Sequence, residues 1–445
     1  MISDRFYNDE RPEVRLNLVQ RCALYKFQEE LDHNQYRFET YSCECGTEYE
    51  KLITLSQKDR YGLEVITKIC PVCGLVMTNP RMNQESYKRF YDFYYRQIYV
   101  GRRRAGEEYF ERQKKHGKEI YRYIKQNYDI AKIHTVLEIG CGAGGILSVF
   151  REQGIEKCKG VDLGSEYIQF GRQRGLDLEN CSSEQLQTSG GYDLIILSHV
   201  LEHFLDIQKE LDVIRKLLSE DGILYVEVPG INNLGEVYGN DFLVYLQNAH
   251  VRHFSCDTLT QILAWNGFTR LCGNENVQSL FIKGECETEI VNYKDTILDA
   301  ITESEKIFSN QHKAKAWPNE ADKIFDIMTL LDAWMNVNRS HKKVVDYLME
   351  RFVKKVAIYG MGVLGRQLYA ELEVSDIEID FVIDRKEVQN VRVPVYKPED
   401  NFPAVDMIIM TTVGEFTAIR RTINRRGTSV VPLAEVILTL SETER

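Results

Sequence analysis

From Val136 onward the chain alternates short apolar runs with amphipathic stretches at helical spacing, a pattern that predicts a layered α/β domain with a largely parallel sheet. Val136-Leu137-Glu138-Ile139 predicts a first buried strand, and Gly160-Val161-Asp162 ends a second. Tyr192–Leu197 and Gly222–Gly230 supply two more, with Ser198-His199-Val200-Leu201-Glu202-His203 at the end of the former. A helix capped by Ser255 and ending near Gly267 follows, and Phe268–Cys272 and Val277–Lys283 then predict a terminal antiparallel pair. Polar helical spacing fills most of 287–353. A second alternation opens at Lys355-Val356-Ala357-Ile358-Tyr359 and lasts to the end, with strands at Phe381–Asp384, Val405–Thr411 and Ser429–Pro432. Ahead of the first alternation, Tyr87 to Tyr128 has helical spacing, and the first ~40 residues carry no readable motif.

At 445 residues the chain exceeds what a single core serves, so several domains are expected. The expected boundaries are an N-terminal cysteine module at 1–85, a helical lead-in at 86–130, a central domain at 131–285, a helical linker at 286–353 and a smaller Rossmann-like domain at 354–445. Charge is uneven along these parts. Residues 1–130 hold 23 basic and 20 acidic side chains, whereas residues 131–285 hold 12 and 21. An acidic centre disfavours nucleic acid as substrate, because that binding leans on Lys and Arg neutralising phosphates. The start Met1-Ile2-Ser3-Asp4 has no secretory pattern and no run approaches the roughly 20 apolar residues of a membrane span, so a cytoplasmic protein is expected. Eleven cysteines without a secretory context point to reduced thiols and a metal cluster rather than disulfides.

The densest chemistry follows the first strand, at Gly140-Cys141-Gly142-Ala143-Gly144-Gly145, where glycines let backbone N–H groups approach a ligand. The loop satisfies G-x-G-x-x-G, which by itself fits a nicotinamide dinucleotide as well as S-adenosylmethionine (SAM). Order decides between them. Glu138 lies inside the first strand, Asp162 ends the second where a carboxylate can accept both ribose hydroxyls, and Ser198-His199 ends the next long strand. Together these predict SAM. The series resembles the class I SAM-dependent methyltransferases over about 150 residues, five motifs falling in the family's order. The resemblance implies that Glu138, Gly140, Cys141, Gly142 and Gly144 hold the methionyl and ribose portion, with Asp162 and its neighbour Leu163 at the diol. It places Asn180, Cys181 and Ser182 beside the adenine, and Ser198 and His199 beside the sulfonium.

Methyl transfer from a sulfonium is an in-line displacement, so the enzyme must align the acceptor and remove its proton. The segment Tyr245–Ser255 sets Tyr245, His250 and His253 at the rim of the expected cleft; the two histidines share a face if helical, and His250 is the expected general base. The alternative is that both brace the next helix. His199-Val200-Leu201-Glu202-His203 also matches the inverted zinc-peptidase pattern H-x-x-E-H, but falls where methyltransferases commonly carry a similar Leu-Glu-His, which favours a satisfied histidine at His203. The run Arg102-Arg103-Arg104 reads as a solvated face more readily than as a phosphate contact.

Two knuckles, Cys43-Glu44-Cys45-Gly46 and Cys70-Pro71-Val72-Cys73-Gly74, supply four thiolates for a closed, structural Zn2+ site. In the last part, Gly360-Met361-Gly362-Val363-Leu364-Gly365 follows a strand and Asp384 ends the next, the dinucleotide fingerprint with its spacing. Gly360, Gly362, Gly365 and Asp384 thus mark a second candidate nucleotide site, on only about half of a full dinucleotide fold. The whole arrangement resembles the three-domain bacterial sugar methyltransferases, which implies a small-molecule substrate, a nucleotide-linked sugar or glycan precursor. The catalytic Tyr-x-Glu-His of the C-methylating members corresponds here to Gln247-Asn248-Ala249-His250, which keeps only the histidine and leaves the methylated atom open.

Overall fold

The computed structural model describes residues 1–102, 106–186, 191–311, 320–414, 416–423 and 428–442. Two compact units divide the chain. The first comprises Met1–Val14, Arg37–Asp92 and Arg104–Lys313, and the second Arg15–Tyr36, Phe93–Arg103 and Ala314–Arg445.

In the first unit, β1 (Ile53–Lys58), β2 (Glu64–Ile69) and β3 (Val76–Thr78) form an antiparallel meander on which the second cysteine knuckle sits as the β2–β3 turn. The long helix α1 (Glu107–Asn127) then leads into a seven-stranded sheet. Its strands are β4 (Thr135–Ile139), β5 (Lys157–Val161), β6 (Asp177–Glu179), β7 (Tyr192–Ser198), β8 (Leu218–Glu227), β10 (Phe268–Gly273) and β11 (Gln278–Lys283), in the spatial order β10-β11-β8-β7-β4-β5-β6. The five strands from β4 to β8 run parallel, and β11 lies antiparallel to β8 and β10, the terminal antiparallel pair that the pattern predicts. Val136, Leu137, Glu138, Leu194, Ile195, Ile196 and Leu197 are at most 1% exposed, as a sheet covered on both faces requires. Chain order reverses between β4 and β7, so the loops after β4, β5 and β7 open one crevice at the carboxyl edge, where α/β sheets bind ligands.

One strand joins the two sheets of this unit. β9 (Arg252–His253), arriving after β8, pairs antiparallel with β3 through Arg252 with Met77 and His253 with Val76, and completes the order β9-β3-β2-β1. Ser255 caps α3 (Cys256–Trp265) next to it, accepting from the Thr258 N–H. The segment Gln247–Val251 is irregular and His253 is in a strand, so the shared helical face considered for His250 and His253 does not form. Their rings are nevertheless 5.9 Å apart, because Thr78 Oγ donates to the His250 carbonyl at 2.7 Å and pulls the turn onto β3.

In the second unit a five-stranded, fully parallel sheet has the order β14-β13-β12-β15-β16, from β12 (Lys355–Tyr359), β13 (Glu378–Ile383), β14 (Val395–Tyr396), β15 (Met407–Met410) and β16 (Ser429–Pro432). α4 (Val363–Glu373) follows its glycine loop. The helix Leu18–Asp32, to which the sequence pattern assigns nothing, contributes Leu18, Cys22 and Tyr25 to this unit's core. Arg103 and Arg104 of the arginine run lie outside the described residues. Among the described residues no helix is long and apolar enough to cross a membrane.

Candidate functional site

At the β4–α2 turn, where α2 spans Gly145–Glu152, the glycine loop is fastened from two sides. Asp162 accepts the Gly142 N–H at 2.9 Å with one carboxylate oxygen and the Gly164 N–H at 2.6 Å with the other. From the opposite side Gln113 of α1 accepts the Ala143 N–H at 3.2 Å and donates to the Cys141 carbonyl at 3.1 Å. Gly142 has φ +54°, and a Cβ there would meet Gln113 and Tyr109 at 2.8 Å, so the residue must be glycine for both backbone and space.

Beneath the loop, Glu138 is 1% exposed and its Oε2 has no hydrogen-bond partner among the described residues. Burial, and then the charge of Asp162, push its pKa well above the ordinary carboxyl range. An orphaned carboxyl group beside a second acid suits a cationic ligand that also offers hydroxyl donors, and SAM is such a molecule. Leu163 stands 72% exposed directly after Asp162, while Asn180 donates to the Asp162 carbonyl at 2.9 Å and Cys181 and Ser182 follow on the same rim.

The β7 end carries His199 in a left-handed backbone conformation, φ +55°, uncommon for a non-glycine and concentrated at functional sites. Burial disfavours its charge, but the Glu202 hydrogen bond and the charges of Glu227 and Glu202 prevail and push its pKa up to about 9. Glu227, at the end of β8, accepts from His116 Nε2 at 2.7 Å, Tyr225 at 3.2 Å, Ser198 at 3.3 Å and Gln278 at 3.4 Å. Gln113 and His116 escaped sequence reading, although a signal existed. They fall between Phe110, Gly117, Ile120 and Ile124 on the buried stripe of α1, and polar side chains on such a stripe need a buried partner.

Tyr245, His250 and His253 lie together but are sealed off, at 0%, 3% and 1% exposed. Tyr245 donates to the Pro229 carbonyl at 3.2 Å. Burial first, then the neighbouring His203, His253 and Arg60, hold His250 well below the usual imidazole range; burial and Arg60 take His253 down to about 3. Both rings are therefore neutral, as a base must be, yet neither is open to a substrate as it stands.

Cys43, Cys45, Cys70 and Cys73 converge so that their Sγ atoms all lie within 4.8 Å, with the Cys43–Cys73 pair at 3.4 Å and the Cys45–Cys70 pair at 3.5 Å. All four are thiols, three of them buried. In the second unit Asp384 accepts the Met361 N–H at 2.7 Å, the same clasp that Asp162 makes on Gly142. Gly360 turns at φ +90° ahead of Gly362, and a Cβ on Gly365 would come within 2.0 Å of the Gly360 carbonyl oxygen, so that position is glycine for close helix–strand packing.

The family model described as a methyltransferase domain matches residues 97–272, which span the glycine loop, Asp162, the β7 end and the β9 segment. The chain is a SAM-dependent methyltransferase. Among solved structures, its methyltransferase domain is similar to the PH0226 protein of Pyrococcus horikoshii OT3, at 18% identity over 40% of this chain and 92% of that one, TM-score 0.32. It is also similar to a SAM-dependent methyltransferase from Archaeoglobus fulgidus, at 20% identity over 44% and 87%, TM-score 0.30. A third is the Burkholderia thailandensis 1,6-didemethyltoxoflavin-N1-methyltransferase, at 17% identity over 48% and 96%, TM-score 0.33. No curated protein matches the chain.

Proposed function

We propose that this methyltransferase acts on a small molecule, a sugar carried on a nucleotide. The observation that carries the reading is the recurrence, in one chain, of a strand, a glycine loop and an acid that clasps the loop, once at Gly142–Asp162 and again at Met361–Asp384. One such unit serves the methyl donor, and the second recognises the nucleotide through Gly360, Gly362, Gly365 and Asp384.

When bound, SAM supplies an electrophilic methyl group on a sulfonium. Glu138 and the Gly140, Cys141, Gly142 and Gly144 backbone hold its methionyl and ribose portion, Asp162 takes the ribose diol, and Leu163, Cys181 and Ser182 flank the adenine. Ser198 and His199 border the methyl side, and the segment with Tyr245, His250 and His253 shapes the acceptor side. Displacement needs the acceptor in line behind the methyl group, so what these residues contribute is chiefly alignment in a water-poor site. A Zn2+ ion held by Cys43, Cys45, Cys70 and Cys73 is structural, since four thiolates leave no open position.

The deciding experiment incubates the full chain with methyl-labelled SAM and a panel of nucleotide sugars, free sugars and RNA, followed by mass spectrometry. Label on a nucleotide sugar supports the reading; label on RNA alone, or only on acceptors without a sugar, sinks it. Calorimetric titration with SAM and NAD(H) separately distinguishes a scaffold that binds without turnover.

A further inference from the structure

The carboxylate of Glu202 is the least explained group in the first unit. It is 1% exposed, and neither oxygen has a hydrogen-bond partner among the described residues. Two imidazole nitrogens face the same oxygen: His250 Nε2 at 3.8 Å and His203 Nε2 at 4.0 Å. These separations exceed a hydrogen bond, whose N···O distance is about 2.7–3.2 Å. They approach the spacing of two donors around one ion, since ligands about 2.1 Å from a tetrahedral centre lie about 3.4 Å from each other. The donor atoms of Glu202, His203 and His250 all fall within 4.8 Å of one another.

A second observation concerns the far side of the His203 ring. His203 Nδ1 lies 2.9 Å from the Ala249 carbonyl and 2.9 Å from the Tyr91 hydroxyl. The carbonyl can only accept, so Nδ1 carries the proton and Nε2 turns a lone pair toward Glu202, the outer-shell arrangement that orients a ligating histidine. Here the distant third donor that the H-x-x-E-H stretch lacks in sequence is His250, delivered by the turn that Thr78 pins to β3.

We infer that Glu202, His203 and His250 form a site for one divalent transition-metal ion, distinct from the four-cysteine cluster. Two imidazoles and a carboxylate suit Zn2+, Fe2+, Co2+ or Mn2+ better than Ca2+ or Mg2+, which take oxygen ligands. The ion fastens the turn after β7 to the segment entering β9. The Gln247 amide, which contacts His250 Nε2, rotates off that atom when the ion enters. A ligated His250 is a positioning residue and takes no proton from the acceptor, so the inference replaces the base role its sequence context suggests. It is independent of the sugar reading and of zinc at the cysteines.

The test strips the full chain of metal and titrates it with Co2+. Four thiolates give intense near-ultraviolet charge-transfer bands, whereas an imidazole and carboxylate set gives only weak visible bands. The expected result is an equivalent bound without thiolate bands, whether or not a thiolate-bound equivalent is present. Glu202→Gln and His203→Gln should each weaken that equivalent at least ~10-fold while leaving any thiolate bands unchanged. A wild-type chain that takes up cobalt only with thiolate bands overturns the inference without recourse to any variant. So does a folded Glu202→Gln chain that keeps the thiolate-free equivalent at unchanged affinity.

Discussion

Asp162 serves the folded loop before any ligand arrives, because its carboxylate already accepts two N–H groups there. Asp162→Ala should therefore lose the loop clasp along with its ribose contact. With charged hydrogen bonds at about 1.5–3 kcal/mol each, SAM affinity should fall roughly tenfold to several hundredfold by calorimetry, with little change in the thermal midpoint. His116 and Glu227 give a pH dependence. The Glu227 hydrogen bond raises His116 above its ordinary 6.5, so that contribution is complete below 6.5 and is lost as pH rises through the folded value. Burial opposes the charge of Glu227, but His116 and His199 lower its pKa below 4.5, so its share is complete above 4.5 and is lost as pH falls through the folded value. The pair should stabilise most between pH 4.5 and 6.5, and His116→Gln should lower stability there by about 1–2 kcal/mol in denaturant titrations while converging on wild type at alkaline pH. A variant whose deficit is the same at every pH would remove the pair as its source.

At the level of elements, the strands of both sheets were legible because buried parallel strands read as unbroken apolar runs, as Leu194–Leu197 and Met407–Met410 do. The glycine loops were legible for a related reason: Gly142 and Gly365 each stand where any side chain would collide. What stayed hidden are pairings between distant segments. Nothing in Arg252-His253 announces a strand two residues long, because its partner β3 lies far upstream and the pairing depends on where the larger sheet delivers the turn. Gln113 and His116 were hidden for the complementary reason that helical spacing shows which face is buried but not what it is buried against. The cysteine knuckle sits on the meander that β9 joins, so metal loss should be felt at the acceptor segment. Removing metal with a strong chelator, or Cys70→Ser, should raise amide exchange in 245–255 along with 43–78; exchange confined to the knuckles would refute the linkage.

Across the molecule, the compact units do not follow contiguous sequence. Leu18, Cys22 and Tyr25 pack with Val356, Leu433 and Ile437 in one core, and Tyr25 donates to the Val430 carbonyl at 2.6 Å. A fragment starting at Lys354 therefore lacks part of its own interior. Deleting a large buried apolar side chain typically costs about 2–5 kcal/mol, so this fragment should melt well below the second unit of the intact chain, or remain molten by near-ultraviolet circular dichroism. A fragment as stable as the intact unit would show that the N-terminal helix is dispensable.

The two-residue strand at Arg252–His253 also limits how the protein can be rebuilt. Its side of the acceptor rim is shaped by a sheet encoded some 180 positions earlier, so a graft of residues 245–255 into another methyltransferase would arrive without its support. Any transplant of acceptor preference has to carry residues 37–92 as cargo, and any library aimed at new acceptors should vary Val76, Met77 and Thr78 with the rim they hold.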